Sequence, residues 1–130
     1  MSDAAGIRQN IEIIEESYEF MLAYAAQGRA EEGAGPDGAH IRTFLDRFAE
    51  AAQGLNDQVS AMLGKEGAKG AGLLDSFKRD SATIISLLRL MLDRKNLSSE
   101  VIDNTNGLIS MRSYLTTLFF IDKAVLSEGE

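Results

Sequence analysis

Four glutamates near the start of the chain come nearest to a chemical site in type and spacing. Glu12, Glu15, Glu16 and Glu19 are three or four residues apart, so they lie along one helix face. Divalent cations take such oxygen ligands. Carboxylate bundles that bind two metals also need Glu-x-x-His pairs, and this chain has one histidine. We therefore expect a solvated acidic face, suited at most to a basic partner, and no metal site.

The single histidine, His40, raises the question of phosphotransfer. Four-helix phosphotransfer domains present one exposed histidine, which a lysine and a glycine typically follow three and four residues later. Here those positions hold Thr43 and Phe44, and His40 lies near the predicted start of a helix rather than in its middle. The pattern favours a surface histidine without a chemical role. A histidine phosphotransfer or small-ligand-binding bundle stays open as the alternative function.

Other kinds of catalytic or cofactor site find no support in the composition. The chain has no cysteine, which excludes disulfides, thiolate nucleophiles and Cys-ligated zinc or iron–sulfur centres. One histidine and no Gly-x-Ser-x-Gly leave serine, threonine and lysine without a general base. The glycine-rich stretches at 33–35 and 70–72 match neither a P-loop nor a dinucleotide fingerprint. We expect a protein that is not an enzyme and binds no cofactor.

The charge and the apolar runs of the chain indicate which partners and which cellular compartment to expect. The net charge is −7, and the whole excess lies in residues 1–57, which hold 11 acidic and four basic residues against nine of each in the remainder. Such a surface repels phosphate backbones, so no nucleic-acid partner is expected. No apolar run is long enough to span a membrane, and the first residues lack a signal-peptide layout. The cytoplasm is the expected compartment.

The apolar residues recur with a period of 3.6 along the chain, which predicts an all-α protein. Four helices are predicted, at about residues 6–27, 39–63, 73–95 and 98–126. Because their lengths are similar and their connections short, the expected fold is an antiparallel up-down-up-down four-helix bundle, a single domain over residues 1–130. The residues expected to form its core are Ile7, Ile11, Ile14, Tyr18, Met21 and Ala25; Ile41, Phe44, Phe48, Ala52, Leu55, Val59 and Met62; Leu74, Phe77, Ser81, Ile84, Leu88 and Met91; and Val101, Leu108, Met111, Leu115, Leu118, Phe119 and Val125.

Caps and glycines set the predicted helix boundaries. Gly28 is expected to end the first helix as a left-handed cap, and Asp37, just after the only proline, to cap the second. A glycine-rich loop is predicted at residues 65–72, and Ser98 is expected to cap the fourth helix. Gly54 lies inside the second helix, where it predicts the close approach of a neighbour.

More residues are apolar than a bundle core requires. The helices at 6–27, 73–95 and 98–126 carry apolar side chains outside their core stripes, and monomers rarely expose large apolar patches. The predicted interaction surface comprises Ile13, Phe20, Tyr24, Ile102, Ile109 and Phe120. The sequence therefore favours a regulatory, adaptor or chaperone-like protein that forms a homodimer and contacts another protein.

Three polar residues project near the core stripe of the predicted fourth helix. Asn104 and Asp122 fall on the same side as Leu115 and Leu118, and Arg112 falls close to Leu108. A buried charge is costly unless it is paired. We therefore expect these residues to fix helix register or oligomer geometry, with a ligand pocket as the less favoured interpretation.

Overall fold

A computed structural model describes residues 2–33 and 40–126, and it is all-helical over that part of the chain. Its α-helices are α1 (Ser2–Ala25), α2 (Ile41–Gly64), α3 (Ala68–Leu92), α4 (Ser99–Asn106) and α5 (Ile109–Phe120). A short π-helix, Ile121–Leu126, continues directly from α5. None of the described helices is both long enough and apolar enough to cross a bilayer.

The first three helices pack in sequence order, each antiparallel to the one before. The Asn10 amide donates to the Gln58 side chain at 2.8 Å, which joins the beginning of α1 to the end of α2. The Ser81 hydroxyl donates to Asn56 at 2.6 Å, between the middle of α3 and the second half of α2. A Cβ added to Gly54 would stand 3.0 Å from the Asn10 amide nitrogen, which confirms the predicted close approach.

The last part of the chain differs from the single helix predicted at 98–126. The helix stops at Asn106 and restarts at Ile109, because Leu108 adopts an extended conformation with ψ 140°. The two pieces pack on different neighbours. The Asn106 amide donates to the Met21 carbonyl on α1, whereas the Ser113 hydroxyl donates to Asp80 on α3. Contacts on both sides thus fix the break in place.

The core follows most of the predicted stripes. Nineteen of the predicted positions are buried or partly buried on α1, α2 and α3 alone, and the large fully buried side chains include Ile7, Met21, Phe48, Phe77 and Leu88. The stripe predicted for the last helix is only partly buried. Met111 and Leu118 lie in the core, but Val101, Leu108 and Phe119 are exposed, since the break and the π-helix change the register.

Helix boundaries agree with the sequence at some points and differ at others. Gly28 has φ +66°, in the left-handed region expected of a cap, and the Ser98 side chain accepts a hydrogen bond from the Val101 amide. The third helix begins at Ala68, five residues earlier than predicted. Gly67, at φ +65°, makes the turn before it, so the loop is confined to residues 65–67. The predicted Asp37 cap lies outside the described residues.

Candidate interaction surface

Helix α5 carries large apolar side chains on its exposed side as well as on its buried side. Among its twelve residues only Arg112 carries a charge. Met111, Tyr114 and Leu118 point into the core, yet Ile109 is 84% exposed, Phe119 54% and Phe120 52%. A helix that is apolar all round is normally buried all round. The exposed side of α5 is therefore the part of the described surface that most resembles an unpaired interface.

The exposed residues of α5 form an ordered face. At about 100° per residue, Ile109, Thr116 and Phe120 fall within a narrow arc directly opposite the buried side. Ser113 lies at the edge beside α3, where it contacts Asp80. Arg112 precedes Ser113 by one residue and is turned away from the buried Tyr114, so it lies at the opposite edge of the exposed side. We call the set Ile109, Arg112, Thr116, Phe119 and Phe120 the α5 face.

The two apolar ends of the α5 face lie in different surroundings. Ile109 is the first residue of the helix, immediately after the break, and Leu108 beside it is also exposed. Phe120 borders a cavity of about 340 Å³ between α5, the π-helix and the start of α3, lined also by Leu63, Leu73 and Val125. Ile109 is thus the more fully available of the two ends, and Phe120 is partly supported by its own chain.

The six residues predicted as one interaction surface do not form one. Tyr24 and Ile102 are fully buried, which places them in the core. The Tyr24 hydroxyl donates to the Leu97 carbonyl at 2.6 Å. Ile13 and Phe20 are half-buried against the core, and Phe20 stacks on Phe44 with ring centroids 4.3 Å apart. Ile109 and Phe120 remain as exposed members of the predicted set.

The predicted buried polar residues are also placed differently. Asn104 and Arg112 are exposed, because the break at 107–108 alters which residues of this segment face inward. Asp122 is partly exposed and accepts a hydrogen bond from the Arg8 side chain at 3.1 Å, an ion pair between the π-helix and α1. The polar residues that are buried are Ser17, Ser81, Ser99, Thr105 and Asn106.

The acidic ladder on α1 lies largely in solvent. Glu12, Glu16 and Glu19 are exposed, and Glu16 pairs with Arg47 at 3.5 Å. Glu15 is half-buried, and its burial, with the nearby carboxylates of Asp122, Glu12 and Glu19, raises its pKa. Within residues 2–33 and 40–126, no group of three or more His, Asp or Glu side chains is arranged to hold a metal ion.

His40 lies just before α2 and is exposed. It makes no side-chain capping hydrogen bond to the first turn of that helix. Its position at a helix end agrees with the sequence-based expectation.

A polar cluster that the sequence analysis missed joins two distant connections. The Arg42 guanidinium donates to both carboxylate oxygens of Glu32 at 2.8 Å and to the Leu92 carbonyl at 2.8 Å. Glu32 also accepts from the Leu97 amide at 2.8 Å. Asn96 bonds to the same segment through the Ala30 carbonyl. These contacts fasten residues 29–33 to residues 92–97, and we call them the Arg42–Glu32 latch.

Comparisons with known proteins add no relative. The chain matches no family model, no curated protein and no solved structure.

Proposed function

We propose that this chain is a non-enzymatic helical interaction protein, a four-helix bundle with an interrupted fourth helix, which forms a homodimer through the α5 face. The observation that carries the proposal is the apolar outer side of α5, with Ile109 84% exposed. A regulatory, adaptor or chaperone-like role, in which the dimer contacts a further protein in the cytoplasm, follows from the same property.

Burial of the exposed aromatic and aliphatic side chains of the α5 face would stabilise a dimer. Full burial of one such side chain is worth about 1.5–3 kcal/mol. A two-fold dimer buries each of them twice, since the same patch is used on both copies. Ile109, Phe119 and Phe120 together supply enough apolar surface for a hydrophobic centre, and Arg112 and Thr116 leave polar atoms near the rim, as in ordinary interfaces.

The acidic ladder of α1 is also consistent with contact through α5. Like charges would crowd if the ladder of one copy met that of another directly. Glu16 and Glu19 are exposed next to Phe44 and Arg47 of α2, and Glu16 pairs with Arg47. A contact centred on α5 therefore does not require these two carboxylates to meet their copies.

The test is to measure mass in solution and to perturb the most exposed residue. Light scattering on the wild type should give about twice the 14.1 kDa chain mass. Ile109→Glu should shift the mass towards that of the monomer with the circular dichroism unchanged, since this side chain packs least on its own chain. Phe120→Glu should act in the same direction but also lower stability, because Phe120 is half-buried.

Thr43→Glu is the matched control, because it adds the same charge at an exposed position of α2 far from the face. It should leave the mass unchanged. A wild type that remains monomeric at high micromolar concentration would exclude the homodimer. Phosphate found on His40 after treatment with a small phosphodonor would instead favour the phosphotransfer alternative.

A further inference from the structure

We propose that Asn106 and Gly107 form a modification site, at which the chain deamidates itself when the end of α4 opens, and that the product releases α4 from α1. The site lies at the break before α5. The inference goes beyond the homodimer proposed above and does not depend on it.

The chemistry follows from the order of these two residues. Asn106 is the only one of the five asparagines that a glycine follows. Because glycine has no side chain to hinder the approach, its backbone nitrogen can attack the side-chain carbonyl carbon of the asparagine. A C–N bond forms to close a five-membered succinimide, and the side-chain nitrogen leaves as ammonia with the proton that the glycine nitrogen loses. Water then opens the ring at either carbonyl, which gives aspartate or isoaspartate at position 106, and no other reactant is needed.

The ordered end of α4 holds this reaction back in the folded protein. The Gly107 amide donates to the Asp103 carbonyl at 3.1 Å, so the attacking nitrogen is engaged in the last turn of the helix. The Asn106 residue is 6% exposed, and its side-chain amide donates to the Met21 carbonyl of α1 at 3.2 Å. Both hydrogen bonds must break before the nitrogen reaches the side-chain carbon. The rate of deamidation therefore depends on how often the end of α4 opens.

Helix α4 is built to open without the rest of the bundle. It has eight residues, too few to be stable apart from its tertiary contacts. The chain that follows it is exposed at Gly107 and Leu108. Hydrogen bonds to α1 hold its two ends, because the Ser99 hydroxyl donates to the Tyr24 carbonyl at 2.7 Å and the Asn106 amide holds the other end.

Deamidation removes the second of these attachments. The product carries a carboxylate in place of the amide, so an anionic oxygen faces the Met21 carbonyl oxygen. The side-chain oxygen of Asn106 is buried and accepts no hydrogen bond from the described residues, so none of them donates to the new charge there. A buried carboxylate without a donor is costly. Isoaspartate also lengthens the backbone by one carbon atom at the end of the helix. Release of α4 from α1 avoids both costs.

Mass spectrometry on aged protein tests the site. Folded wild type kept at neutral pH should gain the mass of an amide-to-acid exchange, which fragmentation should locate at Asn106. Protein unfolded in guanidinium should react at least about tenfold faster, because the folded chain reacts only while α4 is open. Asn104 is the internal control, since it is exposed but followed by Thr105, and it should not react on the same time scale. Equal rates in folded and unfolded protein, or no reaction at Asn106 in either, would overturn the proposal.

Two serine variants distinguish local opening from global unfolding. Ser99→Ala removes the hydrogen bond from α4 to Tyr24 and should speed deamidation of the folded protein by about two- to tenfold, as expected for the loss of one buried hydrogen bond. Ser81→Ala is the matched control, because it removes an equally buried hydroxyl that joins α3 to Asn56 of α2. It should leave the rate unchanged. Equal rates in the two variants would show that release of α4 does not control the reaction.

Gly107→Ala tests which nitrogen attacks. The φ of Gly107 is −85°, which alanine adopts, and an added Cβ would stand 3.6 Å from the Asp103 carbonyl oxygen, an ordinary contact. The variant should therefore fold as the wild type does. Its methyl group hinders the attack, so Asn106 should react several-fold more slowly than in wild type when both chains are unfolded. Equal rates in the two unfolded chains would contradict attack by the backbone nitrogen of residue 107.

Amide hydrogen exchange measures the effect on α4. Deamidated chains carry an additional negative charge, so anion exchange separates them from aged wild type. The α4 amides of this fraction should exchange at least about tenfold faster than those of Gly107→Ala aged alongside, whereas exchange in α2 and α3 should be unchanged. Asn106→Asp, which introduces one of the two products directly, should give the same pattern. Unchanged protection of α4 in the deamidated fraction, or loss of protection throughout the bundle, would contradict the selective release of α4.

Discussion

Neutralisation of Glu32 should destabilise the fold measurably, because this carboxylate is the centre of the Arg42–Glu32 latch. Glu32→Gln removes the charge that two hydrogen bonds from Arg42 depend on, and it leaves at most one good acceptor for the guanidinium and the Leu97 amide. The side chains of Glu32 and Arg42 are 17% and 34% exposed, so solvent screens part of the interaction. We expect a loss of about 2 kcal/mol in the free energy of unfolding.

Thermal or urea denaturation followed by circular dichroism would measure this loss. For a chain of this size, about 2 kcal/mol corresponds to a fall of roughly 6–10 °C in Tm. Glu31→Gln is the matched control: the neighbouring residue is exposed, and the same chemical change there should alter stability by less than about 0.5 kcal/mol. Similar stabilities of the two variants would refute the assignment of the latch.

The pH dependence gives a second check with a defined sign. Hydrogen bonds from Arg42 lower the pKa of the Glu32 carboxyl below its ordinary value of 4.5. The unfolded chain therefore binds this proton more readily than the folded chain, and the stabilisation is fully present above the unfolded pKa. It is lost as the pH falls through the lower folded value. The difference between wild type and Glu32→Gln should thus shrink on acidification, and a difference that stays constant would contradict the explanation.

Two further pairs of variants test individual packing contacts. Gly70→Ala should destabilise the protein, because the added Cβ would stand 2.7 Å from the Leu63 carbonyl oxygen, whereas Gly72→Ala meets nothing within 4 Å and should stabilise α3 by about 0.5–1 kcal/mol in denaturation experiments. Tyr24→Phe should cost about 1–2 kcal/mol, because it leaves a buried backbone carbonyl without its donor. Tyr114→Phe should cost less by the same measurement, since the buried Tyr114 hydroxyl has only the Ser81 hydroxyl near it and makes no hydrogen bond of ordinary geometry. The reverse order of the two tyrosine variants would show that these polar contacts are misassigned.

The helical class and most core positions of the first three helices follow from local pattern alone. Their apolar residues repeat every three or four positions, and a helix that packs on neighbours must bury such a stripe. Ile14, Leu55 and Ile84 are buried as the pattern predicts. The helix caps could also be predicted, because each depends on residues that are close in sequence. The Ser98 side chain accepts a hydrogen bond from Val101, and Gly28 adopts the left-handed conformation three residues after α1.

The break after α4 and the Arg42–Glu32 latch could not be predicted in the same way, because both depend on contacts between distant residues. Gly107 alone does not stop a helix, and its φ of −85° is accessible to any residue. The break is held by the contact of Asn106 with Met21 on α1 and the contact of Ser113 with Asp80 on α3, and these partners are 85 and 33 residues apart in sequence. Similarly, the local sequence around Glu32 and Arg42 does not indicate that the fold brings residues 92–97 beside them.

The same distinction explains why four of the six residues of the predicted interaction surface proved to be buried or half-buried. Helix α1 packs on both α2 and α4, so it needs two apolar stripes, and Ile13, Phe20 and Tyr24 meet that need within one chain. Helix α5 packs chiefly on α3, yet Ile109, Phe119 and Phe120 remain exposed on its outer side. Excess apolar residues on a helix indicate an external partner only after its neighbours within the chain are counted. By that criterion most of the excess on α1 is used within the chain, with Leu22 left exposed, whereas α5 exposes three large apolar side chains; the proposed dimer is therefore built on Ile109 and Phe120.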